Sequence, residues 1–223
     1  MILRYSPSVL RDFPELATGI LKVERIAPNA DASASVARLH AVAAGRLAGG
    51  SESDLPEVQA WRRAFARMGL KPTQYRCASE ALLRRFRKDG RLPDLHPLVD
   101  LCNAASIAFA IPVAVFDLGQ VDGALEVRHA TGTERYETFT AEIEHPNPGE
   151  IIFADEAGSA HARRWTNRQS GRSAVRAGTS AALIVAEALH ETAHEDVSRL
   201  TRTLKALLAE AWPAATILEV RRP

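Results

Sequence analysis

The stretch that decides the fold class runs from residue 98 to residue 129 and reads LVDLCNAASIAFAIPVAVFDLGQVDGALEVRH. Leu98 to Phe109 has the composition of a buried helix, and Pro112 then stops it, because proline cannot supply the next backbone donor. Val113–Asp117 follows as a short β-branched and aromatic run. Gly119 to Gly123 holds turn residues, and Ala124–His129 alternates apolar and polar side chains. Helix, strand, turn and strand in succession predict an α/β (α+β) chain, with the two strands read as a hairpin-like unit.

Toward the N-terminus, residues 1–28 read as extended, with Thr18–Ile26 β-like. Helices are expected at Ala30–Ala48, Glu57–Met68 and Ser79–Lys88, closed by Gly49-Gly50, Gly69 and Gly90 respectively. Toward the C-terminus, Glu150–Asp155 and Ser159–Trp165 read as strands and Ser170–Gly178 as an Arg-studded loop. Ala181–Leu189 is apolar enough to be strand or helix; as a strand it puts Leu183, Val185, Glu187 and Leu189 on one face. Thr192-Ala193-His194-Glu195 has the capping-box pattern and predicts a helix start. Val197, Leu200, Leu204, Leu207 and Leu208 then keep helical spacing, and Thr216–Val220 reads as a last strand. The expected organisation is one domain over 1–223, with a core at about 61–221 and residues 1–60 as an N-terminal strand and helix layer.

Hydrophobic residues make up 46% and charged residues 25% of the 223, an ordinary globular balance that excludes disordered and fibrous classes. Cys77 and Cys102 are the only cysteines, so no disulfide framework or Cys-rich zinc site is expected. No secretory signal opens the chain, and the apolar run Ala104–Phe116 is too short to span a bilayer, so a cytoplasmic protein with no membrane partner is expected. The net charge of +1 excludes a uniformly basic nucleic-acid binder. It hides a strong segregation. From Arg62 to Arg91 ten basic residues, including Arg62, Arg63, Arg67, Lys71, Arg84 and Arg85, face only Glu80 and Asp89. Arg163, Arg164, Arg168, Arg172 and Arg176 face no acid at all, which leaves −12 on the rest of the chain. Local clusters of this kind are what a polyanion surface requires, although solvated helix and loop faces give the same pattern.

Phosphate-loop, dinucleotide and nucleophile-elbow motifs are missing. His190-Glu191-Thr192-Ala193-His194 matches the zinc-hydrolase pattern by letter. A helix starting at Thr192 leaves His190 in the preceding turn, which spoils the one-face geometry zinc needs, so no metal or other cofactor is expected. Three polar features stand out. Asn103 interrupts an apolar helix and reads as a tether or a ligand contact. Glu187 sits among core residues, where a carboxylate is costly unless paired or used. Trp165, Asn167, Arg168 and Gln169 cluster after a strand, able either to stack a nucleotide or to plug the core with Trp165.

Residues 98–103 and 111–117, then Arg128-His129-Ala130 and Gly132-Thr133-Glu134, resemble the B3/B4 editing domain of the phenylalanyl-tRNA synthetase β subunit. Met68-Gly69-Leu70-Lys71-Pro72, Ser79-Glu80-Ala81-Leu82 and residues 163–170 are similar to its free-standing relatives. The resemblance implies a three-layer β/β/α sandwich with additional N-terminal helices. It also implies trans-editing hydrolysis of a mischarged amino acid from tRNA, with the aminoacylated acceptor end as partner. The alternative is a non-catalytic tRNA- or RNA-binding module of the same fold. By the resemblance, Asn103 is the family's pocket Asn, with Cys102 in place of its Thr. Ala114 replaces a pocket His, Asp155 and Glu156 replace small residues near the Gly158 turn, and Glu187 is the nearest counterpart of the carboxylate that reads the side chain. The implied pocket is therefore Asn103, Cys102, Asp155, Glu156, Gly158, His161 and Glu187. The implied tRNA surface is Arg62, Arg63, Arg67, Lys71, Arg84, Arg85, Arg163, Arg164, Trp165, Asn167, Arg168 and Arg172. No class II aminoacylation motif is present.

Overall fold

In the computed structural model, which describes residues 2–220, two β-sheets face each other and helices cover the outer face of one of them. Residue 221, the expected end of the core, lies outside the described residues. β1 (Leu3–Tyr5), β4 (Leu125–His129), β7 (Ile151–Ala154), β8 (Ala160–Arg163) and β9 (Arg168–Gln169) form a five-stranded sheet in that order. β11 (Thr216–Glu219), β2 (Ala17–Glu24), β10 (Ala181–Ala188) and β3 (Val113–Asp117) form a four-stranded sheet. β5 (Tyr136–Glu137) and β6 (Ile143–Glu144) make a small separate hairpin.

The period of two along β10 divides the core. Ala182, Ile184, Ala186 and Ala188 pack against α5 (Pro97–Phe109) and α6 (Ala193–Ala211), whereas Leu183, Val185 and Leu189 join the cluster between the sheets. Ala181–Ala188 is thus a strand, paired on both sides, and the layers are the expected β/β/α. α6 lies close on β2 because Gly19 has no side chain: a Cβ there would stand 2.2 Å from Thr201 Oγ1. α2 (Ser33–Leu47), α3 (Pro56–Arg67) and α4 (Ala78–Asp89) add helices around one end. Trp61 and Phe65 of α3 close off the inter-sheet cluster.

Three expectations need correcting. Residues 1–28 contain a helix, α1 (Pro7–Asp12), started by Ser6, whose hydroxyl accepts from the Val9 amide, and by Pro7 at the first helical position. β3 and β4 do not pair with each other. Past a 3-10 turn at Leu118–Gln120 the chain changes sheets, so β3 pairs with β10 and β4 with β1 and β7. The helix at residue 193 begins where expected, but no capping box forms, because the Thr192 hydroxyl donates to Asp196 Oδ2 at 2.7 Å.

Candidate functional site

Between the two sheets lies a small cavity of about 60 Å3. Val113 and Ala114 of β3, Val185 and Glu187 of β10, and Phe153 and Ala162 of the opposite sheet line it, and the turn from Trp165 to Gln169 forms one side. Its walls are mostly apolar with a few polar groups, the usual make-up of a small-ligand site.

Glu187 is placed there by strand phase, on the same face of β10 as Leu183 and Val185. Its carboxyl is 1% exposed. Oε1 accepts two hydrogen bonds, from Tyr5 Oη at 2.7 Å and from Trp165 Nε1 at 2.9 Å. Oε2 makes no hydrogen bond among the described residues. Burial pushes this carboxyl up to about 7, against the opposing pull of the Trp165 and Tyr5 hydrogen bonds. At neutral pH it therefore exists in both forms, able to accept from a ligand or donate to one.

Trp165 reaches Glu187 through an uncommon backbone. Arg164 and Trp165 both have positive φ, 47° and 57°, in the left-handed region that side chains with a Cβ avoid. Two such residues in succession cost on the order of 1–3 kcal/mol each and persist because the surroundings fix them. The Trp165 amide donates to Ile151 O, and its ring meets Phe13 and Trp61 edge-on at 4.8 and 5.0 Å. The ring is fully buried, so Trp165 plugs the core while also lining one side of the cavity. Beside it, the Thr166 hydroxyl is buried without a hydrogen bond and lines the cavity. Asn167 Nδ2 ties the same turn to Arg76 O.

The other residues of the expected pocket are not brought to this cavity. Cys102 and Asn103 lie on α5. Cys102 is in the core of the helix layer, where burial pushes its thiol up, and the four-stranded sheet separates that layer from the cavity. Asp155, Glu156, Gly158 and His161 belong to the turn between β7 and β8 and its β-bulge, where His161 is the extra residue opposite Phe153 and Ala154. Asp155 accepts from the amides of Asp122, Ala157 and Ser159 and pairs with His161 Nε2 at 3.1 Å. Burial raises the Asp155 carboxyl, but these bonds outweigh it and hold it below the usual range. His161 is lowered by burial, which the Asp155 charge only partly opposes. His161 thus supports a carboxylate that holds a turn. Gly158 N–H is also engaged, donating to Asp155 O, and Glu156 is exposed.

The charge clusters of the sequence largely cancel in space. Arg62 makes a two-pronged pair with buried Glu80, Arg84 pairs with buried Glu52, and Arg67 with Glu15. Arg163 is 5% exposed and bonded to Glu144 and Glu150; Arg168 also holds Glu144, and Arg172 holds Asp122. These six act first as structural counterions. Arg63 and Lys71 are exposed with no carboxylate within pairing distance among the described residues, Arg85 reaches Asp89 only at 3.7 Å, and Arg164 stacks on the Tyr75 ring at 4.7 Å.

Sequence reasoning missed Tyr5, Thr166 and Phe153. Tyr5 stands 182 residues from its partner Glu187, so no local spacing relates them. Thr166 carried a signal only as a hydroxyl next to the Trp165 cluster.

The fold and site define a three-layer β/β/α sandwich whose candidate site is a cavity between its sheets. The chain belongs to the B3/4 domain family, whose sequence model matches residues 60–206, more than half of its length. Among solved structures it is similar to an N-terminal fragment of the phenylalanyl-tRNA synthetase beta subunit from Pyrococcus horikoshii, at 10% identity and a TM-score of 0.52. The match covers all of this chain and 54% of that one, so the chain spans about half the length of that structure, and the likeness is one of fold. No curated protein sequence matches significantly. Among the described residues no helix is long and apolar enough to cross a membrane.

Proposed function

We propose that the protein is a trans-editing aminoacyl-tRNA deacylase, which binds a mischarged acceptor end and hydrolyses its ester. The observation that carries this reading is Glu187, a carboxyl buried in an apolar cavity with one oxygen uncommitted. The B3/4 family membership and the synthetase-like fold supply the tRNA context. An apolar cavity with one polar group suits an amino-acid side chain bearing a hydroxyl or another hydrogen-bonding tip. Ala114 in the wall and the limited volume favour a side chain different from, or smaller than, tyrosine. An aminoacyl ester is already activated, so its hydrolysis needs a positioned water and donors to the developing oxyanion more than a side-chain nucleophile. Thr166 Oγ1 and Asn167, both in the cavity wall, are the side chains best placed to position the substrate. The uncommitted bases Arg63, Lys71 and Arg164 are the candidates for backbone phosphates.

A second reading, a tRNA-binding module without catalysis, draws on the lack of any His, Cys or Asp in the cavity lining. Incubation with a panel of mischarged tRNAs separates the two. Release of one amino acid well above the spontaneous rate supports the deacylase, and Glu187→Ala then changes which amino acid is released. Binding of tRNA with no accelerated release leaves the binding module. Selectivity unchanged in Glu187→Ala removes the role given to that carboxyl.

A further inference from the structure

Away from the cavity mouth, three side chains from three elements converge: Glu57 in the first turn of α3, His190 in the turn after β10, and Asp196 in the first turn of α6. One donor atom from each lies within 4.8 Å of the other two. Glu57 and His190 are each 7% exposed, and both hold a buried polar atom without any hydrogen bond, Glu57 Oε2 and His190 Nδ1. Orphaned polar atoms in a folded interior are rare and costly, and Glu57 Oε2 stands without a partner in this cluster.

The carboxylates are oriented alike. Glu57 turns Oε1 to Arg46 at 2.7 Å and Asp196 turns Oδ1 to Arg199, so each commits one oxygen to an arginine. Of the remaining oxygens, Glu57 Oε2 is the orphan, whereas Asp196 Oδ2 accepts from Thr192 Oγ1 at 2.7 Å and meets His190 Nε2 at 2.8 Å, bonds that a bound ion would replace. Supporting bonds on the outer oxygens are the usual way a protein aims its metal ligands.

We propose that Glu57, His190 and Asp196 form a binding site for a divalent first-row metal ion, Zn2+ or Mn2+. One imidazole and two carboxylates give a mixed nitrogen and oxygen set, which suits these ions better than Ca2+ or Cu+. Waters complete the coordination. The site is distinct from the His190/His194 zinc pattern, since His194 is exposed and takes no part. Its position gives it a structural role. His190 lies three residues beyond Glu187 on the same run of chain, and Glu57 lies one turn before Trp61, which packs on Trp165. A bound ion therefore pins α3, α6 and the end of β10 together behind the cavity. The proposal does not depend on the deacylase reading.

The test uses the untagged full chain, stripped with chelator, desalted and titrated separately with ZnCl2 and MnCl2 by calorimetry, with metal content measured after dialysis. The expected result is one equivalent of one of these ions per chain and a melting temperature that rises with that ion. Glu57→Gln and Asp196→Asn each weaken binding ten- to a hundredfold, and His194→Ala leaves it unchanged. Glu57→Gln is nearly isosteric, and circular dichroism verifies that it is folded. No saturable uptake of either ion by the wild-type chain overturns the proposal. So does an affinity in the folded Glu57→Gln variant equal to that of the wild type, or binding that is lost in His194→Ala.

Discussion

At the scale of single residues, Glu187 carries the sharpest consequence. In the unfolded chain it titrates near its ordinary value of 4.5, and burial in the folded chain raises it to about 7. The folded state thus holds the proton more tightly. Stability from this group is complete below about pH 4.5 and is lost as pH rises through about 7, a swing on the order of 3 kcal/mol. Glu187→Gln keeps an acceptor for Tyr5 and Trp165 and removes the titration. Urea unfolding at pH 5 and pH 8 is expected to show the variant gaining about 3 kcal/mol on the wild type between the two; parallel profiles would refute the assignment. Glu134 has the opposite sign. Burial raises it, but bonds from the Thr131 and Gly132 amides and from Arg128 bring it down to about 2. Its contribution is present above its ordinary range and fades as pH falls toward 2. Glu134→Gln is expected to lower stability by about 1–3 kcal/mol at neutral pH, seen as a reduced urea midpoint, and to lose that deficit in acid. The residue-level signal for Glu187 was legible, since a lone carboxylate in an apolar run is expensive. Its partners were not, because Tyr5 and Trp165 reach it only through the fold.

At the scale of elements, chain order predicted most boundaries to within a few residues, and the failures have local causes. The Ser6-Pro7 start of α1 is a clear cap signal inside a stretch whose general pattern is extended. The change of sheet between β3 and β4 leaves no mark in a sequence that has the composition of a hairpin. The contact of α6 with β2 depends on Gly19, where a Cβ would also come within 2.9 Å of Val197 Cγ1. Gly19→Ala is expected to cost about 1–3 kcal/mol by thermal or urea unfolding, and Thr201→Ala in the same chain to restore part of it. Independent, additive effects would mean that the helix does not rest on the strand there.

At the scale of the whole molecule, the distribution of charge is what the tertiary structure changed most. The sequence separates about +13 in two segments from −12 elsewhere, and folding brings part of that acid back against the base: Glu52 on Arg84, Glu15 on Arg67, and Glu144 and Glu150 on Arg163. Under the proposed function, the salt dependence of tRNA binding is therefore expected to be shallow. Lys71→Ala and Arg63→Ala should each reduce the slope of log K against log salt by about one unit or less. Arg62→Ala and Arg163→Ala are expected instead to lower the melting temperature, because each removes the closest counterion of a buried carboxylate, Glu80 or Glu150. A steep slope that is insensitive to Lys71 and Arg63 would mean that the phosphates are held elsewhere. The sequence by itself determined most of the order of helices and strands and the family resemblance, because these follow from local periodicity and contiguous motifs; the structure settled that residues 181–188 are a strand and so fixed the face that carries Glu187. Only the tertiary structure decided that Asn103 and Asp155 stand apart from Glu187, that most of the arginines are counterions, and that Glu57, His190 and Asp196 meet. Those relations join residues tens to well over a hundred positions apart, and no pattern along the chain measures distance through the core.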